Sequence, residues 1–480
     1  MKGPMITKTV LILSCIAQIS AAAEGKREIS EYISSQACLV CHPEKYSIWK
    51  SSNHAQIVVP IINSTNLPLD IATAPANVQA ELQKATYMVG NSFFMARDPA
   101  TQHYKLLGVI YDKTAKTYRP STFSLDWSTS CAGCHTTNMN TPNLTWGEAG
   151  IGCEACHGPG RDHAVGKGDK SKIVSGKDAD ICGQCHAGND AQTGGKLMSD
   201  GTKWVVGFRP GMKLSQVPGI QLTPVDLNKI PPDSRVNHLR NYNMWAASGH
   251  SKALSLVIKN DRASADCYGC HSAEGFAAKL QGKKIDVAQK ESFSALSCVA
   301  CHDPHNSNNP RQLVVDAEKL CSSCHTQETV LLGKGAKGIE ETRSIHSAIS
   351  CVSCHMTEGN HLMKVIRPDD PGLSEKRTDT CTACHKDNNQ KARAAQLQQW
   401  QASYTKNMDA LQADVKAISA ALKEKPDLLN PDLKTKFGTV RGNLSILVRD
   451  GSRGVHNFDY ASEIMTLAEK DLAEIKAAVK

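Results

Sequence analysis

Three stretches of the chain carry a readable alternation of apolar and polar residues. Beyond residue 390, KARAAQLQQWQASYTKNMDALQADVKAISAAL and LKTKFGTVRGNLSILVRD repeat their apolar residues with a period near 3.6, which predicts amphipathic helices. A third helix opens at Gly454-Val455-His456-Asn457 and runs to the end. Around Asp112-Lys113, QHYKLLGVIYD and KTYRPS alternate with period two and predict a small β-hairpin, with His103 in its first strand as a plain structural histidine. At the start, Lys2 and Lys8, the apolar run TVLILSCIAQIS and Ala21-Ala22-Ala23 before Glu24 read as a cleaved secretory signal. That run is short for a bilayer span, and no later stretch is long and apolar enough to provide one. Cys15 follows Ile12-Leu13-Ser14, a poor match to a lipoprotein box, so a lipid-anchored outer-surface protein ranks behind a periplasmic or secreted one.

Between these stretches the apolar period fails and a pentapeptide repeat replaces it. The four upstream copies are CLVCH (Cys38, Cys41, His42), CAGCH (Cys131, Cys134, His135), CEACH (Cys153, Cys156, His157) and CGQCH (Cys182, Cys185, His186). Five more follow as CYGCH (Cys267, Cys270, His271), CVACH (Cys298, Cys301, His302), CSSCH (Cys321, Cys324, His325), CVSCH (Cys351, Cys354, His355) and CTACH (Cys381, Cys384, His385). Cys-x-x-Cys-His is the attachment signature of c-type haem: two thiols add to the porphyrin vinyl groups and the adjacent imidazole binds the iron. Nine copies predict nine covalently bound haem c and use all but one of the 19 cysteines. Zinc knuckles and thioredoxin-like pairs need no histidine after every second cysteine, and an odd number of motifs leaves a remainder when paired into zinc sites.

Composition agrees. Aromatic residues are 5% of the chain, thin for a side-chain core of this length, and nine flat apolar porphyrins supply the missing buried surface. The apoprotein is therefore expected to be largely unfolded. The formal charge of +8 falls to +6 without the signal, and the haem propionates carry it to neutral or below, so the basic balance does not point to nucleic acid. The fold expected is mainly α, a multihaem cytochrome c built around stacked haems.

Of 18 histidines, nine lie outside the motifs. His54 follows Trp49 and Ser52 on a short predicted helix, and YNMWAASGHSKAL repeats that Trp, Ser, His order and makes His250 its counterpart. His163 comes just after the Gly158-Pro159-Gly160 turn. His305, His346, His361 and His456 complete the distal-ligand candidates, while His103 and His238 lack a supporting pattern. Iron held by two imidazoles favours low potentials, as in low-potential respiratory electron transfer.

The strings CxxCHxxxYxxWxxSxHA, YMVG, WSTSCAGCHTTN and GCEACHGPGRDH resemble the tetrahaem cytochromes that accept electrons from hydroxylamine oxidoreductase, over about residues 36–190. GHSKA, SIHSAISCVSCHM, CTACHKD and GVHNxxYA resemble the pentahaem cytochrome c nitrite reductases and their octahaem relatives. The second resemblance implies that His250 serves the haem at Cys321–His325, His361 that at Cys298–His302, and His456 that at Cys381–His385. It also puts the haem at Cys267–His271 on the catalytic position, His346 beside it as catalytic histidine, and a homodimer face on residues 391–480. Those reductases attach the catalytic haem through Cys-x-x-Cys-Lys and place an arginine before the Gly-His pair; here stand His271 and Ala247-Ser248.

The organisation expected is a signal over 1–23, a tetrahaem module over 24–195, a Pro-rich linker over 196–235, a pentahaem module over 236–390 and a helical segment over 391–480. The function expected is periplasmic or extracellular electron transfer in anaerobic respiration, between redox proteins such as a quinol-oxidising membrane cytochrome or other cytochromes. A nitrite- or hydroxylamine-type oxidoreductase with one open haem is the alternative.

Overall fold

The computed structural model describes residues 31–62, 67–187, 204–217, 220, 240–370, 373, 379–386 and 389–479. The signal, most of the Pro-rich linker and His238 lie outside them. Contacts divide the chain into two compact units, one containing residues up to 225 with 235–314 and the other containing 315–480.

In the first unit the expected hairpin is the last pair of a larger sheet. Strands β1 (Val58–Pro60), β2 (Tyr87–Val89), β3 (Phe93–Arg97), β4 (Tyr104–Asp112) and β5 (Thr117–Pro120) form an antiparallel meander in sequence order. Asp112 closes the β4–β5 turn by accepting from the Thr114 and Ala115 amides at 3.0 Å. His103 stands one residue before β4. Both faces of the sheet are covered. Met88, Phe94 and Val109 point to one side, under the helix Ala76–Leu82, and Val89, Met95 and Leu106 point to the other, against Trp127, Ala132 and Trp204. The second face thus rests on the haem peptide that begins at Cys131. A further hairpin, β6 (Thr136–Asn140) with β7 (Thr145–Ala149), joins that peptide to the one at Cys153.

The second unit carries three long helices, α1 (Gln390–Glu424), α2 (Pro431–Asp450) and α3 (Phe458–Val479). Tyr404, Met408, Leu411 and Ile418 of α1, Phe437, Val440, Leu444 and Leu447 of α2, and Ile464, Ala468, Leu472 and Ile475 of α3 meet in one core. Their spacings of three, four and seven put each set on one helix face. Asn430 caps α2 through the Leu433 amide, with Pro431 in the first turn, and Gly451 ends it in the left-handed region at φ 69°. Asn457 accepts from the Tyr460 amide at the start of α3 and donates to the Val330 and Thr342 carbonyls, tying the helix to the loop before the motif at Cys351. No helix among the described residues is long and apolar enough to cross a membrane.

Candidate haem-binding sites

Each motif occupies a single helical turn. Ala132–His135, Cys153–His157, Ala179–His186, Ala265–His271 and Cys351–His355 are short α-helices that contain or end on the motif histidine, and Thr380–Ala383 is a 3-10 turn. Where the helix is shorter, the histidine amide still donates to the first cysteine's carbonyl: His42 to Cys38 at 2.8 Å, His302 to Cys298 at 2.8 Å, His325 to Cys321 at 2.9 Å. Positions i, i+3 and i+4 of one turn share a face, so two sulfurs and one imidazole are presented together to a flat ligand. None of the eighteen described cysteines is paired in a disulfide, and only Cys41 and Cys384 are exposed.

Opposite several motif histidines stands a second imidazole. The ring centres of His42 and His163 are 6.2 Å apart, with 16° between their planes. His157 and His305 are 6.1 Å apart at 13°. In the second unit His355 and His456 are separated by 6.2 Å at 50°, and His385 and His346 by 6.4 Å at 83°. A metal–imidazole bond is about 2 Å long and the ring centre lies roughly 1 Å behind the nitrogen, so two imidazoles on opposite sides of one iron have centres about 6 Å apart. The four pairs have the separation that one haem iron requires. In the first unit His54 lies near His302, which together with burial lowers its pKa.

The other ring nitrogen is held as well. Nδ1 donates to a backbone carbonyl in His157 (Val174, 2.7 Å), His163 (Asp169, 2.9 Å), His271 (Ala253, 2.9 Å), His302 (Arg311, 2.9 Å), His355 (Met363, 3.2 Å) and His361 (Gly359, 2.7 Å). That fixes the tautomer and leaves Nε2 with its lone pair for a metal. Burial lowers the pKa of His54, His305, His325 and His346, which keeps these imidazoles in the neutral, ligating form.

The motifs also meet one another. In the first unit Cys38 lies beside Cys153, Cys134 beside Cys185 and Cys182 beside Cys298, and in the second unit Cys321 lies beside Cys351. Among the described residues no group of three or more His, Cys, Asp or Glu is arranged to hold a metal ion, so the thiols meet by twos and not as the fours of a zinc knuckle. The Trp, Ser, His pattern has one structural meaning in both places. Trp49 donates to the Ile151 carbonyl at 2.9 Å, Trp245 to the Leu296 carbonyl at 2.7 Å, and each acceptor lies two residues before the first cysteine of a motif. Glu154, inside its own motif and buried, accepts from the Ile33, Ser34 and Gly160 amides and ties down the chain entering the first motif.

For His456 the ring contacts point to a different motif from the one the reductase resemblance implies. His456 lies against His355 and not the last motif histidine, because the Asn457 cap fixes its helix start over the motif at Cys351. His346 lies 6.4 Å from His385, within the second unit. His250 belongs to the first unit and His361 to the second. His103 bonds Asp126 through Nδ1 at 2.8 Å. The sequence reading missed Asp450, whose carboxylate holds His456 at 2.6 Å; the signal available was only the helix stop Asp450-Gly451 shortly before Gly454-Val455-His456.

Comparisons with known proteins agree with the motifs and the fold. Residues 99–158 match the family model described as cytochrome c554 and c-prime, and residues 291–330 match that of the doubled CXXCH motif. The crystal structure of outer cell wall cytochrome OcwA superposes with a TM-score of 0.74 at 24% identity, over 92% of this chain and 100% of that one. The undecahaem cytochrome from the S-layer of Carboxydothermus ferrireducens superposes with a TM-score of 0.62 at 21% identity, over 95% of this chain and 71% of that one. No curated protein matches the chain.

Proposed function

Taking the chain as the multihaem c-type cytochrome that its motifs and fold make it, we propose that it binds nine covalent haems and passes electrons between redox partners outside the cytoplasm. The observation that carries this reading is the set of facing imidazoles. We assign His42 with His163, His157 with His305, His302 with His54, His355 with His456 and His385 with His346 as axial pairs, and count His250 and His361 among the ligands of the remaining haems. An iron closed on both sides by nitrogen has no position for a substrate and exchanges electrons only.

Two further features support transfer along a series of haems. The motifs adjoin one another, which would hold the attached porphyrins close together, and the motif at Cys182–His186 adjoins both that at Cys131–His135 and that at Cys298–His302. Cys41 and Cys384 are exposed, which makes the first and last motifs the natural places to meet a donor and an acceptor. The two structural neighbours are described as proteins of an outer cell wall and an S-layer, and the leader-like residues 1–23 fit the same export route. The test is an electron paramagnetic resonance census of the fully oxidised protein. Low-spin signals for at least the five assigned pairs are expected, and a majority of high-spin haems would overturn the reading.

A further inference from the structure

We propose that Asp450 sets the reduction potential of the haem held at Cys351–His355 and makes it the last of the three haems of its unit to accept an electron. The inference rests on the reading of His456 as that haem's second axial ligand. Six imidazoles donate Nδ1–H to a neutral backbone carbonyl, and His355 is one of them, through Met363. His456 instead donates to the Asp450 carboxylate at 2.6 Å. A charged acceptor draws the proton further from the ring than a carbonyl does, so Nε2 becomes a stronger donor, and the ferric state gains more from it than the ferrous state.

Burial gives this contact its weight. The Asp450 side chain is 2% exposed, and among the described residues no lysine or arginine pairs with it. Its second oxygen accepts from the Ser452 amide at 3.2 Å and from the Ser452 hydroxyl, whose oxygen in turn accepts from the His456 amide at 3.1 Å. The left-handed Gly451 turns the chain at the end of α2, so that the last residue of one helix grips the histidine before the next. Two other imidazoles have carboxylate partners, His103 with Asp126 and His305 with Asp303. Those carboxylates are 31% and 34% exposed, where water screens the charge.

The motif at Cys351 stands between the other two of its unit. The helical turn Cys351–His355 packs against both Ala317–Ser322, which carries Cys321, and the turn Thr380–Ala383, which carries Cys381. A low potential in the middle leaves the flanking haems reduced first and raises the energy of the intermediate through which an electron crosses.

The experiment is Asp450→Asn in the full-length holoprotein, with each haem's potential followed by spectroscopic redox titration. Asparagine can keep the hydrogen bond and removes the charge. One haem is expected to become easier to reduce by about tenfold, an upward shift of roughly 59 mV for one electron, with the low-spin count unchanged. Unchanged potentials, or loss of one low-spin haem, would overturn the proposal, since the second outcome makes Asp450 necessary for ligation and not for potential. His456→Ala covers the case in which Asp450→Asn fails to assemble. It should remove the lowest-potential low-spin component of the second unit's haems, and survival of that component would overturn the proposal. A His456→Ala protein that loses no low-spin haem at all would instead sink the ligand assignment beneath it.

Discussion

The imidazole of His163 faces that of His42 at 6.2 Å, with 16° between the ring planes. Nothing in local sequence joins them. The turn through Gly158, which has φ 75°, and the bond from His163 Nδ1 to the Asp169 carbonyl bring the second ring back over the first motif. Replacing His163 by Ala removes one of two axial nitrogens and leaves the attachment cysteines intact. One low-spin haem should convert to high spin, read by electron paramagnetic resonance, with the total haem content unchanged. An unaltered low-spin count would remove His163 from the ligand set.

The haem count is checked directly by mass. The processed polypeptide purified from the exported fraction should carry nine haem masses, one per motif. Fewer than eight, or bound zinc, would break the correspondence between motif and haem.

Covalent attachment was legible in the sequence because it is local: one turn of helix places Cys, Cys and His on one face regardless of the surrounding fold. The helices α1 to α3 were legible for the same reason, since Tyr404, Met408 and Leu411 already repeat at helical spacing. The sheet was only half legible. β4 runs over nine residues, while β1 and β2 have three residues each, too few for a period to declare itself. Distal ligation was the least legible, because an imidazole's partner is decided by tertiary placement. Flanking motifs alone point His456 to the last motif, whereas its ring lies 6.2 Å from that of His355, on a helix start that Asn457 ties to Val330 and Thr342. Asp450 carries no motif of its own, and its role follows only from burial and distance.

The repeated tryptophan offers a test of packing. Trp245 donates to the Leu296 carbonyl at 2.7 Å, just before the motif at Cys298. Trp245→Phe keeps most of the ring and removes the donor, leaving that carbonyl short of a partner at a cost of about 1–3 kcal/mol. The thermal midpoint should fall with haem content unchanged, and Trp49→Phe should act in the same direction through Ile151. Equal midpoints for wild type and both variants would show the indole bonds to be dispensable.

The last prediction concerns whether any haem performs chemistry. The nitrite reductase resemblance gives His346 the role of proton donor at an open iron, and the facing geometry gives it the role of second ligand to the haem of His385. The two roles predict opposite effects of the same substitution. A general acid must hold a proton near working pH, and burial, assisted by the neighbouring His385, lowers the pKa of His346 and favours its neutral form. A neutral imidazole 6.4 Å from its partner is suited to binding iron. Ala247-Ser248 also provides no cation before Gly249-His250 to hold an anionic substrate. With reduced dye as donor, the wild-type protein is therefore expected to sustain no turnover of nitrite or hydroxylamine. His346→Ala should open one coordination position, converting one haem to high spin and creating carbon monoxide binding that the parent lacks. Turnover in the parent that disappears in His346→Ala would reverse the assignment, because removing a ligand exposes an iron, whereas removing a proton donor disables one.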